Sequence, residues 1–121
     1  MGMIRYTADH EWLDDSGDDV AVGITAHATE ELGDIVFIEL PEVGAELTTG
    51  DEAAVIESTK AASGIAAPFD GVVTAVNDEL AESPEKVNED PTGSWFFRIR
   101  PADPGALDSL LDEAAYQALI G

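Results

Sequence analysis

Lys60 separates two contrasting runs: the apolar and acidic Ala53-Ala54-Val55-Ile56-Glu57-Ser58-Thr59 before it, and the small residues Ala61-Ala62-Ser63-Gly64-Ile65-Ala66-Ala67-Pro68 after it. It is one of two lysines in a chain with 26 acidic and only five basic side chains. An amine can be acylated, and a long acyl arm would give a reactive group wide reach while the folded body only positions it. That use requires a rigid exposed turn and small neighbours that admit a modifying enzyme. Thr59, Ala61 and Ala62 supply the small neighbours, and Glu57 and Ser58 are polar enough to stay at the surface. The competing reading of Lys60 is a charged gatekeeper at a hairpin tip.

Other chemistries lack their residues. Without cysteine there is no disulfide framework, thiolate nucleophile or zinc-thiolate site, which fits a reducing compartment. The two histidines, His10 and His27, lie in no spacing that makes a metal site or a catalytic triad, so packing and hydrogen bonding are expected of His10-Glu11-Trp12. Neither lysine closes a glycine-rich phosphate loop, and no serine occupies a nucleophile elbow. Carboxylates are too abundant for any pair to stand out as acid and base. The acidic stretch 14–19 lacks the spacing and distal glutamate of a calcium loop and reads as a solvated turn. Neither catalytic residues nor a metal are expected: the chain is not read as an enzyme.

The net charge of −21 argues against nucleic acid or an anionic membrane as partner, since both need a basic footprint. Acids spread from Asp9 to Glu113 favour adaptation to a salt-rich (halophilic) cytoplasm over a local acidic docking face. At molar salt the screening length falls to about 3 Å, so the self-repulsion of such a charge is largely removed. No long apolar run and no signal-like N-terminus occur, which predicts a soluble cytoplasmic protein. At 121 residues, with 45% hydrophobic side chains, one domain spanning 1–121 is expected.

The elements that must hold Lys60 are mostly strands. Tyr6 to Leu13 and Val20 to Ile24 read as strands around the acidic turn, and Thr25 caps a short helix, Ala26 to Leu32, which Gly33 ends. Ile35 to Leu40 is β-branched and aromatic, and Pro41 closes it. Turn signals at Val43-Gly44, Gly50-Asp51 and Asp70-Gly71 then divide short strands, with Val72 to Val76 following the last. Residues 77–91 read as polar and irregular, and Ser94 to Arg100 as a final strand. Asp103-Pro104 starts a helix with Ala106-Leu107 and Leu110-Leu111 at helical spacing, and Asp112 caps a second through Leu119. The pattern predicts a small all-β barrel or sandwich with helices packed outside.

The stretch Val43-Gly44, Gly50-Asp51, Glu57-Ser58-Thr59-Lys60-Ala61, Pro68 and Gly71 resembles the lipoyl and biotinyl carrier domains, whose modified lysine lies at a hairpin tip. Within that group, Glu57-Ser58-Thr59-Lys60-Ala61 is similar to the lipoylation motif of the glycine cleavage H-protein family. Further segments agree in the same order: Tyr6-Thr7 with His10-Glu11-Trp12, Leu32-Gly33-Asp34 through Pro41, Val87-Asn88 with Asp90-Pro91, and Leu110-Leu111-Asp112 with Ala115-Tyr116. Departures are Thr59, where the family often has valine, and a compressed segment after Gly93.

The resemblance implies a mainly β barrel-sandwich hybrid, with a short internal helix and C-terminal helices. It implies lipoate joined to Lys60 as an amide, attached by a lipoate ligase or octanoyltransferase. The arm would shuttle the aminomethyl group of glycine from a pyridoxal-phosphate glycine decarboxylase to a tetrahydrofolate-dependent aminomethyltransferase, with dihydrolipoamide dehydrogenase reoxidising the dithiol. By the same resemblance Glu11 lines the cleft that shields the arm; its bland alternative is simple solvation. A monomer is expected. Three other readings stay open: a lipoyl domain of a 2-oxo acid dehydrogenase, an H-like protein that only relays lipoyl groups, and an unmodified acidic adaptor. A biotinyl carrier fits less well, because Thr59 and Ala61 rather than methionines flank the lysine.

Overall fold

The computed structural model describes residues 3–15, 19–103 and 105–120. Among the described residues, nine strands form two sheets. The larger has six strands, β1 (Met3–Tyr6), β2 (Glu11–Asp15), β3 (Val20–Ile24), β9 (Phe97–Pro101), β8 (Gly71–Val76) and β5 (Glu46–Leu47), in that spatial order. The smaller has three, β4 (Ile35–Glu39), β6 (Glu52–Ser58) and β7 (Ala62–Ala66). Every pairing is antiparallel. Of the barrel or sandwich expected from the pattern of short strands and glycine turns, the described residues form two sheets and no closed barrel, in line with the mainly β barrel-sandwich hybrid that the resemblance implied.

One core joins the sheets. Val22, Val73 and Ile99 from the larger sheet and Ile38, Ile56 and Ile65 from the smaller are all buried in the same apolar cluster, together with Leu13, Phe96 and Phe97. Burial of this kind is the main force holding one sheet on the other, at about 25 cal/mol per Å² of apolar surface. Asp19 is tied to the large sheet by the Thr74 hydroxyl at 2.7 Å and by Arg98 Nη1 at 3.0 Å.

Helix α1 (Ala26–Leu32) has the expected ends: Thr25 Oγ1 accepts from the Ala28 amide, and Gly33 terminates it at φ 77°. The single strand expected over Tyr6 to Leu13 is instead two, β1 and β2. The Thr7 amide donates to the Glu11 carbonyl at 3.0 Å and the Glu11 amide donates back to the Thr7 hydroxyl at 3.2 Å across a tight loop, and His10 sits at φ 68°, a left-handed conformation no strand accommodates.

Residues 77–91, read as irregular, contain two short helices, α2 (Asp78–Glu82) and α3 (Lys86–Glu89). Each is anchored by one apolar side chain, Leu80 or Val87, in the core. Too few apolar positions were available to give a periodic signal. At the C-terminal end, Ala106–Ser109 is a 3-10 turn rather than an α-helix. Leu111 leaves helical spacing because its amide and carbonyl pair with Tyr6 at the edge of β1, at 3.0 and 2.8 Å. Pro104 lies outside the described residues, as does the middle of the acidic turn expected at 14–19. Asp112 does cap α4 (Glu113–Ile120), its Oδ1 accepting from the Ala115 amide at 2.8 Å. That helix packs through Tyr116, stacked on Tyr6 at 4.6 Å, while Leu119 stays exposed.

Candidate functional site

After an irregularity between Glu52 and Ala54, strands β6 and β7 pair regularly from Ala54/Ile65 to Glu57/Ala62, leaving Ser58 to Ala61 to make the turn. Ser58 organises it. Its amide and hydroxyl both donate to the Ala61 carbonyl, at 2.8 and 2.9 Å, and its hydroxyl oxygen accepts from the amides of Lys60 and Ala61 at 3.2 and 3.1 Å. Small residues that hydrogen-bond their own backbone are the usual means of fixing a tight turn. Lys60 projects from this locked tip and is exposed, with Thr59 and Ala61 exposed beside it.

A second segment braces the tip. The Thr59 amide donates to the Asp34 carbonyl at 3.0 Å, and the Lys60 methylenes run over Gly33, where a side chain is missing. Asn88 on α3 holds that junction from behind: its Nδ2 donates to the Gly33 carbonyl at 2.8 Å and its Oδ1 accepts from the Ile35 amide at 2.9 Å. The importance of Asn88 was invisible in the composition of its segment.

A cleft of about 300 Å³ lies among the Thr7–Glu11 loop (Ala8, Asp9 and His10), α1 (Ala28, Glu31, Leu32) and β7 (Ser63, Gly64). Glu11, expected to line such a cleft, is not among its lining residues: it follows His10 of the wall in the chain and is buried, 3% exposed. Burial, reinforced by the negative charge of Asp9, pushes its carboxyl up to about 8, while the Thr7 hydroxyl at 3.3 Å and the Ala66 backbone amide act in the opposite direction. A group with that pKa is mostly protonated at neutral pH, so it can donate a hydrogen bond. A more apolar hollow of about 330 Å³, lined by Tyr6, Trp12, His27 and Tyr116 among others, contains no residue of the Lys60 turn.

The histidines, which their spacing left apart, are neighbours. The His10 ring lies 4.5 Å from the His27 ring, and His27 Nε2 is 2.9 Å from Glu31 Oε1 one turn along α1. His10 Nδ1 is 2.9 Å from the buried Tyr116 hydroxyl, which in turn is 2.7 Å from Thr25 Oγ1. The His27/Glu31 pair was available from sequence as an i,i+4 spacing. Its meeting with His10 depends on the loop and could not be read.

A two-sheet β scaffold with an exposed lysine on a braced hairpin tip is an arrangement of the lipoyl-domain type. A family model described as "Glycine cleavage H-protein" matches residues 4–121. Glycine cleavage system H protein 1 of Pseudomonas aeruginosa is 56% identical over 122 residues, covering 99% of this chain and 95% of that protein. The H protein of Methylocella silvestris is 56% identical over 121 residues, covering 99% and 97%. A crystal structure of the H protein from Mycobacterium marinum superposes with a TM-score of 0.89 at 38% identity, covering 100% of this chain and 98% of that one. The chain belongs to the glycine cleavage H-protein family. Among the described residues, no helix is long and apolar enough to cross a membrane.

Proposed function

We propose that Lys60 carries lipoate through an amide bond and that the whole chain, as one carrier domain, serves the glycine cleavage system. The observation that carries this reading is the exposed Lys60 at a tip fixed by Ser58 and braced by Asp34 and Gly33, in a member of this family. The tip fits the group: the amine is exposed, its neighbours are small, and a cleft begins at Ser63 and Gly64, a few residues along β7. When attached, lipoate supplies the disulfide that accepts and releases the aminomethyl unit derived from glycine. The chain's own work is to hold the arm's root and to offer it shelter.

Partners follow from that role: the pyridoxal-phosphate decarboxylase that loads the arm, the tetrahydrofolate-dependent aminomethyltransferase that unloads it, dihydrolipoamide dehydrogenase, and the ligase or octanoyltransferase that modifies Lys60. The carrier performs no bond chemistry itself and works as a cytoplasmic monomer, and its acidity suits a salt-rich interior. Glu11 supports the cleft indirectly, as the buried residue next to His10 of its wall, with a carboxyl pushed up to about 8 by burial. Glu11→Ala should therefore speed loss of the one-carbon unit to water, and an unchanged rate would remove Glu11 from this role.

The deciding experiment is the intact mass of the protein from its own host, with peptide mapping across Lys60. A lipoyl or octanoyl adduct on Lys60 is expected. An unmodified amine in lipoate-replete cells would return Lys60 to a gatekeeper and favour an acidic adaptor. Glycine-dependent carbon dioxide exchange with the decarboxylase then separates glycine cleavage from lipoyl relay.

A further inference from the structure

We infer that His10, His27 and Glu31 form a binding site for one divalent transition ion of the zinc type. Each offers one ligand atom, and the three atoms all lie within 4.8 Å of one another. Two imidazoles and a carboxylate favour zinc, cobalt or nickel over calcium or magnesium, which prefer all-oxygen shells. His27 and Glu31 come from one face of α1 at the i,i+4 spacing that lets two side chains share an ion, and their facing atoms are already 2.9 Å apart.

The third ligand is set by the backbone. His10 adopts φ 68°, held there by its amide donating to the Thr7 carbonyl at 3.1 Å and its carbonyl accepting from the Thr25 amide at 3.0 Å. This unusual conformation brings its ring beside that of His27. One ring nitrogen, Nδ1, is engaged by Tyr116, itself backed by Thr25. A buried outer partner of this kind fixes the orientation of a metal-binding imidazole and leaves the other nitrogen for the ion. Glu31 is exposed and His27 only half-buried, so an ion can enter from solvent.

Three protein ligands leave a fourth position for water or another donor. Two of the three, His10 and Glu31, also line the cleft beside β7. An ion there would clamp α1 to the Thr7–Glu11 loop. The competing account is a plain helix-surface pair, His27 with Glu31, against which the ring of His10 merely packs.

The test uses the full-length chain without a histidine tag, metal-stripped and unmodified at Lys60, so its outcome is independent of the lipoyl assignment. Cobalt(II) is titrated and followed by visible d–d absorption, and zinc by calorimetry, both with excess magnesium to occupy surface carboxylates. One zinc per chain is expected, with a cobalt spectrum of low coordination number. His27→Ala and His10→Asn, the latter chosen because asparagine tolerates φ above zero, should each weaken binding by at least about tenfold. Tyr116→Phe, which removes the hydroxyl shared by His10 and Thr25 but no ligand, should weaken it by about tenfold. The control Glu42→Gln/Glu46→Gln should change nothing. Circular dichroism checks that each variant is folded. Absence of a saturable site, or equal affinity in wild type and His27→Ala, overturns the inference.

Discussion

The far end of Lys60 lies over Gly33: a β-carbon built on Gly33 would stand 3.3 Å from Lys60 Cε and 3.5 Å from Cδ. The same glycine ends α1 at φ 77°, ψ −150°, a conformation essentially reserved for glycine. One residue thus closes the helix and gives the lysine a flat surface to lie on.

Gly33→Ala should act twice. The backbone conformation alone should cost about 1–3 kcal/mol, read as a lower midpoint of urea unfolding. The new methyl group also crowds the lysine methylenes, so modification of Lys60 by a lipoate ligase should slow under conditions where the variant is fully folded. Wild-type stability together with wild-type modification would show that the contact is incidental.

Lys60→Arg keeps the charge but cannot form the lipoyl amide. Since Lys60 is exposed, the melting temperature should stay unchanged while lipoylation and glycine–carbon dioxide exchange are lost. Exchange activity persisting in that variant would refute the assignment of Lys60.

Glu11 ties stability to pH in an unusual direction for an acid. Its folded-state pKa of about 8 exceeds its ordinary 4.5, so the native state binds the proton more tightly than the unfolded chain does. This contribution is fully present below about pH 4.5 and is lost as pH rises through about 8. Glu11→Gln should therefore match wild type at the acidic end and become the more stable form with rising pH. The gap should widen by at most about 1.4 kcal/mol per pH unit inside the window. Paired denaturation curves in the presence of a chelator measure it; parallel pH profiles would place Glu11 in a wetter setting than its burial indicates.

The charge of −21 predicts a strong salt response. Raising potassium chloride from dilute buffer to molar concentration should raise the melting temperature by several degrees, as screening removes self-repulsion. A flat profile would leave the acidity without a role in salt tolerance and turn attention to partner docking.

How much of this was legible beforehand varied with the range of the contacts. Local devices were readable: Thr25 and Gly33 bound α1, Asp112 caps α4, and the Lys60 turn falls between two strands, because each depends on a few adjacent residues. Elements decided by distant partners were not. Leu111 is drawn out of a helix by Tyr6, and α2 and α3 are each held by a single core side chain. The site divides the same way. Lys60 stands out by its neighbours, whereas the burial of Glu11 and the meeting of His10 with His27 follow from a left-handed residue in a loop that reads as continuous strand.

The division into two sheets has a consequence for how this molecule tolerates change. Lys60 rides on the three-stranded sheet, while Glu11 belongs to the six-stranded one and His10 directly precedes it there. The cleft near Lys60 has one wall, Ser63 and Gly64, on the same small sheet and another, Ala8 to His10, on the loop that enters the large one, so the width between those walls depends on how the two sheets are packed, with Ile56 and Ile65 on one side and Val22 and Ile99 on the other. A change in the volume of these core residues is therefore expected to reach the cleft without touching a residue that lines it, so the interior acts as a calliper whose setting is inherited by the surface.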